Sequence, residues 1–232
     1  MGAAAVTAGP APDAVARLRR LDSCAVSDAC DRLGLPDRVV TGLAPLTGPA
    51  RRAGRVVTVE LGPWTGGGGA SHLCTAATDA STADDVIVVA HHGRTDCAGW
   101  GGNLSRAARA RGAAATIVDG AARDIDESRT VGHPVFALAA TPRTARGRTE
   151  EVAWGGPVAI GGVAVNHGDY VVADSTGVVF VPADRIDEVL VEAEAIAAKE
   201  AAMAAALDDG QPVSVVMGRD YEAMLHRPDH DT

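Results

Sequence analysis

Apolar positions along the chain follow two spacings. Short β-branched runs of buried-strand type occur at 55–61, 85–90, 113–118, 135–139, 158–160, 163–165, 170–173 and 178–181. Segments between them predict helices over 13–21, 23–33, 71–80, from Asn103 through an alanine-rich stretch to the stop at Gly112, over 125–131, and over 184–207, the longest. Asp119-Gly120 is expected to turn the chain, and Asp174-Ser175-Thr176-Gly177 to close a hairpin. Residues 36–54 and 141–156, broken by Pro and Gly, read as loops. The order is mixed α/β around one core, with no repeat of solenoid period. Residues 1–12 are expected to be a disordered lead, 13–225 a single domain, and 226–232 a frayed tail.

Composition narrows the function classes. Apolar residues make up 47% of the 232 positions but aromatics only 3%, so the core must be built from Ala, Val, Leu and Ile. So few rings argue against base-stacking capture of single strands. A net charge of −9 argues against a phosphate-backbone partner, although a local site can still hold a small anion. Cys24, Cys30, Cys74 and Cys97 form no C-x-x-C pair and read as small buried thiols in a reducing compartment. No apolar run approaches the roughly 18 residues of a membrane span. Positions 1–12 lack the charged start and leucine-rich core of a signal peptide, so the cytoplasm is the expected compartment.

The chemistry concentrates between Gly99 and Asp124. Gly99-Trp100-Gly101-Gly102 opens a helix at Asn103, a strand follows, and Arg123-Asp124 comes directly after. Free N–H groups at a helix start hold anions, and glycine lets a ligand approach closely. A substrate carboxylate can lie between those groups and Arg123, while Asp124 can hold a divalent ion against a carbonyl oxygen. Arg123-Asp124 alone would be a surface ion pair worth little. Gly66–Gly69 lacks the Gly-Lys-Ser/Thr ending of a P-loop and reads as a mobile loop beside the site. His72, at the start of the helix over 71–80, reads as a capping or packing residue, with reach into the site the lesser option. Of His91 and His92, at most one should face the site, because adjacent residues of an extended chain point opposite ways. Arg143, Arg146 and Arg148 read as a solvated basic loop, with substrate capture the lesser option.

Gly101-Gly102-Asn103-Leu104 followed by Val118-Asp119-Gly120-Ala121-Ala122-Arg123-Asp124 resembles the signature of the class II 4-hydroxy-4-methyl-2-oxoglutarate (HMG/CHA) aldolase family. That family also includes the regulator of ribonuclease activity A. The resemblance runs roughly from Leu21 to Leu207, with His91-His92-Gly93 a departure from it. It implies a β/β/α sandwich of the phosphohistidine-swivelling, RraA-like type, assembled as trimers or hexamers. It also implies an enzyme cleaving or forming a 4-hydroxy-2-oxo acid through pyruvate enolate, with oxaloacetate decarboxylation alongside. In that reading Asp124 anchors Mg²⁺ or Mn²⁺, and Gly101, Gly102, Asn103, Leu104 and Arg123 bind substrate. Arg123 also neutralises the enolate oxygen. Glu200, with Glu194 as competitor, reaches a metal-bound water from a neighbouring subunit. Lys199 is the only lysine and sits on a polar, alanine-rich helix, which disfavours a Schiff-base route. A non-catalytic, protein-binding regulator is the alternative. Methyl transfer is rejected, since no adenosylmethionine-type glycine motif follows the first strand.

Overall fold

The computed structural model of the chain describes residues 13–35, 37–66 and 72–218. The expected lead, most of the four-glycine loop, Ser71 of the helix over 71–80, and the expected tail lie outside the described residues. Strands are β1 (Val39–Val40), β2 (Ala44–Pro45), β3 (Arg52–Pro63), β4 (Asp85–Trp100), β5 (Ala115–Ala122), β6 (Val135–Ala140), β7 (Thr149–Trp154), β8 (Val158–Ile160), β9 (Val163–Val165), β10 (Tyr170–Ala173) and β11 (Val178–Val181). Helices are α1 (Ala14–Leu18), α2 (Ser23–Arg32), α3 (Thr75–Ala80), α4 (Gly102–Arg111), α5 (Ile125–Thr130), α6 (Ile186–Asp208) and α7 (Val213–Val216).

One nine-stranded sheet carries the fold, in the order β1-β11-β10-β3-β4-β5-β6-β2, with β7 paired to the far half of β3. The four central strands, β3 to β6, are parallel, and the flanks are antiparallel. Alternation along the strands sorts side chains to two faces. Val86, Val88 and Ala90 of β4 join Ile117, Val171 and Phe180 on one face, beneath the β8–β9 hairpin. Ile87 and Val89 point the other way, under α3 and α4, while Val172, Val179 and Val181 lie under α1, α2 and α6. The layers are therefore hairpin, sheet and helices, a β/β/α sandwich. Burial on both faces explains why the central strands read as unbroken apolar runs.

The chain ends of these elements follow local chemistry. Asp22 caps α2 by accepting from the Ala25 N–H at 2.9 Å. Asp13 occupies the corresponding position of α1 without a side-chain cap. The expected hairpin turn closes as Asp174 N–H donates to Gly177 O at 3.0 Å. Among the described residues, no helix is long and apolar enough to cross a membrane.

Four expectations are corrected. The strand from Asp85 does not end at Ala90. His92 (φ 53°) and Gly93 (φ 69°) swing it outward, and it rejoins β5 at Arg94, Ala98 and Trp100. Asp119-Gly120 is not a turn, because β5 runs through it to Ala122. A Cβ on Gly120 would sit 2.6 Å from both Arg94 O and His91 Cδ2, so glycine serves the close approach of β4. The helix over 71–80 begins only at Thr75, after Cys74 in a left-handed conformation. Residues 36–54 and 141–156 contain β1, β2, the start of β3, and β7, whose mostly exposed side chains show no apolar alternation.

Candidate active site

The end of β4 delivers Trp100 and Gly101 to the start of α4, and the end of β5 delivers Arg123 and Asp124 beside it. Arg123 N–H donates to Trp100 O at 3.0 Å, locking the two chain segments together. Asp124 turns the chain into α5 with φ 55° and ψ 40°, a left-handed backbone that Asp tolerates better than most residues. Its Oδ2 accepts from the Gly102 N–H at 3.1 Å and from Arg123 Nε at 3.1 Å. Both hydrogen bonds found for this carboxylate among the described residues end on Oδ2.

Glycine is required at the joint. A Cβ on Gly101 would lie 3.1 Å from Asp124 Oδ2, and one on Gly102 would lie 2.2 Å from Glu127 Oε2 and 3.0 Å from Asp124 Cβ. Burial alone would raise the Asp124 carboxyl. The Gly102 N–H and the Arg123 guanidinium outweigh it and hold the carboxyl below its ordinary range. Asp124 is therefore ionised at neutral pH, with its side chain 38% exposed.

These groups open on a cavity of about 250 Å³, a size for a small acid. Gly101, Gly102, Asn103, Leu104, Arg123 and Asp124, singled out from the sequence, are brought together along its lining. One role changes. The Gly102 N–H is taken by Asp124, whereas the N–H groups of Asn103 and Leu104 have no partner among the described residues. Both residues line the cavity.

A family profile described as Aldolase/RraA matches residues 23–180, two thirds of the chain. The chain belongs to the RraA-like family. Protein DlpA of Legionella pneumophila is 30% identical over 199 residues, covering 86% of this chain but 32% of that protein. The chain thus spans about a third of the length of that relative. A Halalkalibacterium halodurans protein, provisionally named a 4-hydroxy-4-methyl-2-oxoglutarate aldolase, is 29% identical across 92% of this chain and 96% of its own. Streptomyces coelicolor RraAS2, described as an unusual member of the RNase ES inhibitor RraA protein family, superposes with a TM-score of 0.75. It is 27% identical, covering 83% of this chain and 96% of its own.

In this RraA-like chain the cavity has a second wall that sequence reasoning placed in solvent. Thr144, Ala145 and Arg146 line it opposite the glycine joint, and His72 and Leu73 add an edge. The wall is tethered to β4: Ala98 N–H donates to Arg143 O at 3.0 Å, and Arg94 Nη1 to Arg148 O at 2.8 Å. Arg146, but neither Arg143 nor Arg148, is among the lining residues.

Neither paired histidine reaches the cavity. His91 is buried with Nε2 3.0 Å from Cys97 O, and burial lowers its pKa. His92 points to solvent and meets Glu60 Oε1 at 2.6 Å. Glu200 lies on α6, where burial first, then Asp22 and Asp28, push its carboxyl upward. It is not among the residues lining the cavity of its own chain. Glu194, the competitor, is held by Arg17 in a two-point ion pair, Nη2 to Oε2 at 2.7 Å.

A divalent ion fits this donor set in one way. Among the described residues no group of three His, Cys, Asp or Glu side chains is placed to cage a metal. A single ionised, half-exposed carboxylate at a cavity wall instead suits a hard cation that keeps waters and takes oxygen ligands from substrate.

Proposed function

We propose that this chain is a lyase that uses Mg²⁺ or Mn²⁺ to break the C3–C4 bond of a 4-hydroxy-2-oxo acid, leaving pyruvate enolate. One observation carries the reading. The unpartnered Asn103 and Leu104 amides, the Arg123 guanidinium and the ionised Asp124 carboxylate meet in one small cavity. The provisional name of the H. halodurans relative supports it.

The amides of Asn103 and Leu104 receive the C1 carboxylate at the positive end of α4. Arg123 lies where the C2 oxygen would gain charge as the C3–C4 electron pair collapses into the enolate, and a fixed guanidinium is most effective there. Asp124 would hold the ion, which when bound supplies Lewis-acid polarisation of the 2-oxo group. The C4 hydroxyl proton leaves to a general base. Glu200 from a neighbouring subunit of a trimer or hexamer is the proposed acidic group. Oxaloacetate would lose CO₂ through the same enolate.

The test is pyruvate release from 4-hydroxy-4-methyl-2-oxoglutarate and from oxaloacetate, with Mg²⁺, with Mn²⁺ and with chelator. Metal-dependent release is expected with both, and its absence with both refutes the reading. The likeness to RraAS2 favours a second reading, a regulator that binds a protein partner and turns over nothing. Stable association with a ribonuclease, together with no metal-dependent turnover, would select it.

A further inference from the structure

Behind the cavity, a run of hydrogen bonds leads from the wall to the backbone of Asp124. Trp100, a lining residue, donates from Nε1 to Ser105 Oγ at 2.8 Å. The hydroxyls of Ser105 and Ser128 are 2.7 Å apart. Ser128 Oγ then lies 3.2 Å from the Asp124 carbonyl, which also accepts the Ser128 N–H at 3.0 Å. Both serines are fully buried and Trp100 nearly so.

The proton positions in this run follow from its ends. An indole N–H only donates, and a carbonyl only accepts. Ser128 therefore commits its single proton to Asp124 O, Ser105 gives its proton to Ser128, and Ser105 accepts from Trp100. Every link has one direction, and such chains strengthen link by link. Alanine at either position would be the better helix former, so local propensity does not account for the two hydroxyls. The run joins β4, α4 and α5, and it terminates on the one cavity residue with a left-handed backbone.

We infer that Ser105 and Ser128 are positioning residues that hold Asp124 in its left-handed conformation, so that its carboxylate faces the cavity. The catalytic consequence rests on the function proposed above, but the conformational one does not.

The experiment compares Ser105→Ala, Ser128→Ala and the double variant with Ser81→Ala. Ser81 is a matched control: it is buried, and its hydroxyl donates to the carbonyl four residues back at 2.7 Å. Amide hydrogen exchange over 101–105 and 123–128 is read in metal-free protein, and the Mg²⁺ dependence of pyruvate release is read separately. Each single relay variant is expected to speed exchange in both segments and to weaken the apparent metal constant about tenfold, the scale of lost support around a ligand. The double variant should be no worse than the worse single, because either change breaks the whole run. Ser81→Ala should leave both segments unchanged. Where Ser105→Ala does not fold, Trp100→Phe removes the first donor and should shift exchange in the same direction. Unchanged exchange in both segments, or additive effects in the double variant, overturns the inference. Failure of the proposed function shows differently, as a wild-type protein without metal-dependent turnover, while the exchange comparison still decides the relay.

Discussion

Replacing Asp124 with Asn separates the function of this residue from its structural part. The amide keeps an oxygen for the Gly102 N–H, now 3.1 Å from Oδ2, and Asn tolerates the left-handed backbone at least as well as Asp. What is lost is charge. A hydrogen bond to a charged acceptor contributes roughly 1.5–3 kcal/mol against roughly 0.5–1.5 for a neutral one, a difference of about 1 kcal/mol. The Arg123 pair is more than a third exposed on both sides, so screening leaves it roughly 0–1 kcal/mol. Stability should therefore fall by only about 1–2 kcal/mol, a Tm shift of roughly 2–8 °C for a chain of this size. Activity should fall far more. Disturbing the support around a metal ligand costs about 10–100-fold, so neutralising the anchor itself should cost more than about 100-fold. Pyruvate release at saturating Mg²⁺, set beside calorimetry of the same sample, measures both. Turnover above about a tenth of wild type would refute the assignment. A collapse of stability would show instead that the carboxylate is mainly structural. Asp124→Ala should cost more stability than Asn, since alanine lacks the acceptor and resists φ > 0.

Arg123→Lys keeps the charge but loses the planar fork, so kcat/KM should fall about 100-fold or more; a loss under threefold in the pyruvate assay would contradict it. Gly102→Ala should lower thermal stability, because the clash at this joint outweighs the helix-propensity gain, and lower turnover at least about tenfold. Its Cβ displaces the flexible Glu127 end and crowds Asp124 Cβ at 3.0 Å, so unchanged turnover would oppose the geometry above. His133 is fully buried, and desolvation, with smaller contributions from Arg109 and Arg52, lowers its pKa to about 4 from an ordinary 6.5. The unfolded chain then binds the proton first as pH falls, so stability is full above about pH 6.5 and declines toward pH 4, by roughly 3 kcal/mol in all. Urea midpoints across that range should show the slope, and His133→Asn should flatten it.

The parts of the fold legible in the sequence were those whose cause is local. Val86–Ala90 and Val178–Val181 read as strands because both faces are buried, so no contact need be known to see them. Asp119-Gly120 misled for the opposite reason. Asp-Gly favours a turn wherever the backbone is free to choose, but here His91 and Arg94, about thirty residues earlier, press against Gly120 and require its missing Cβ. β7 was invisible because its apolar residues, Val152, Ala153 and Trp154, are consecutive and exposed, so no alternation marks the strand that pairs with β3.

The same distinction governs the candidate site. Gly101 through Leu104 and Arg123-Asp124 are joined by a single helix–strand passage, so their meeting could be read from spacing. The wall of Thr144 to Arg146 could not, because it depends on β4 swinging outward at His92 and capturing the loop through Arg94 and Ala98. The use of the Gly102 N–H lay deeper still. A helix start offers several equivalent amides, and sequence alone gives no reason to spend one on a neighbouring carboxylate. The left-handed turn at Asp124 decides it by bringing Oδ2 to 3.1 Å from that amide. Asp124 is thereby ionised and held before any ligand arrives, and under the proposed function the anion-binding work passes to Asn103 and Leu104. Blocking the Leu104 amide by Leu104→Pro at the third helical position should accordingly raise KM for the 2-oxo acid more than it lowers kcat, the reverse of the Asp124 phenotype.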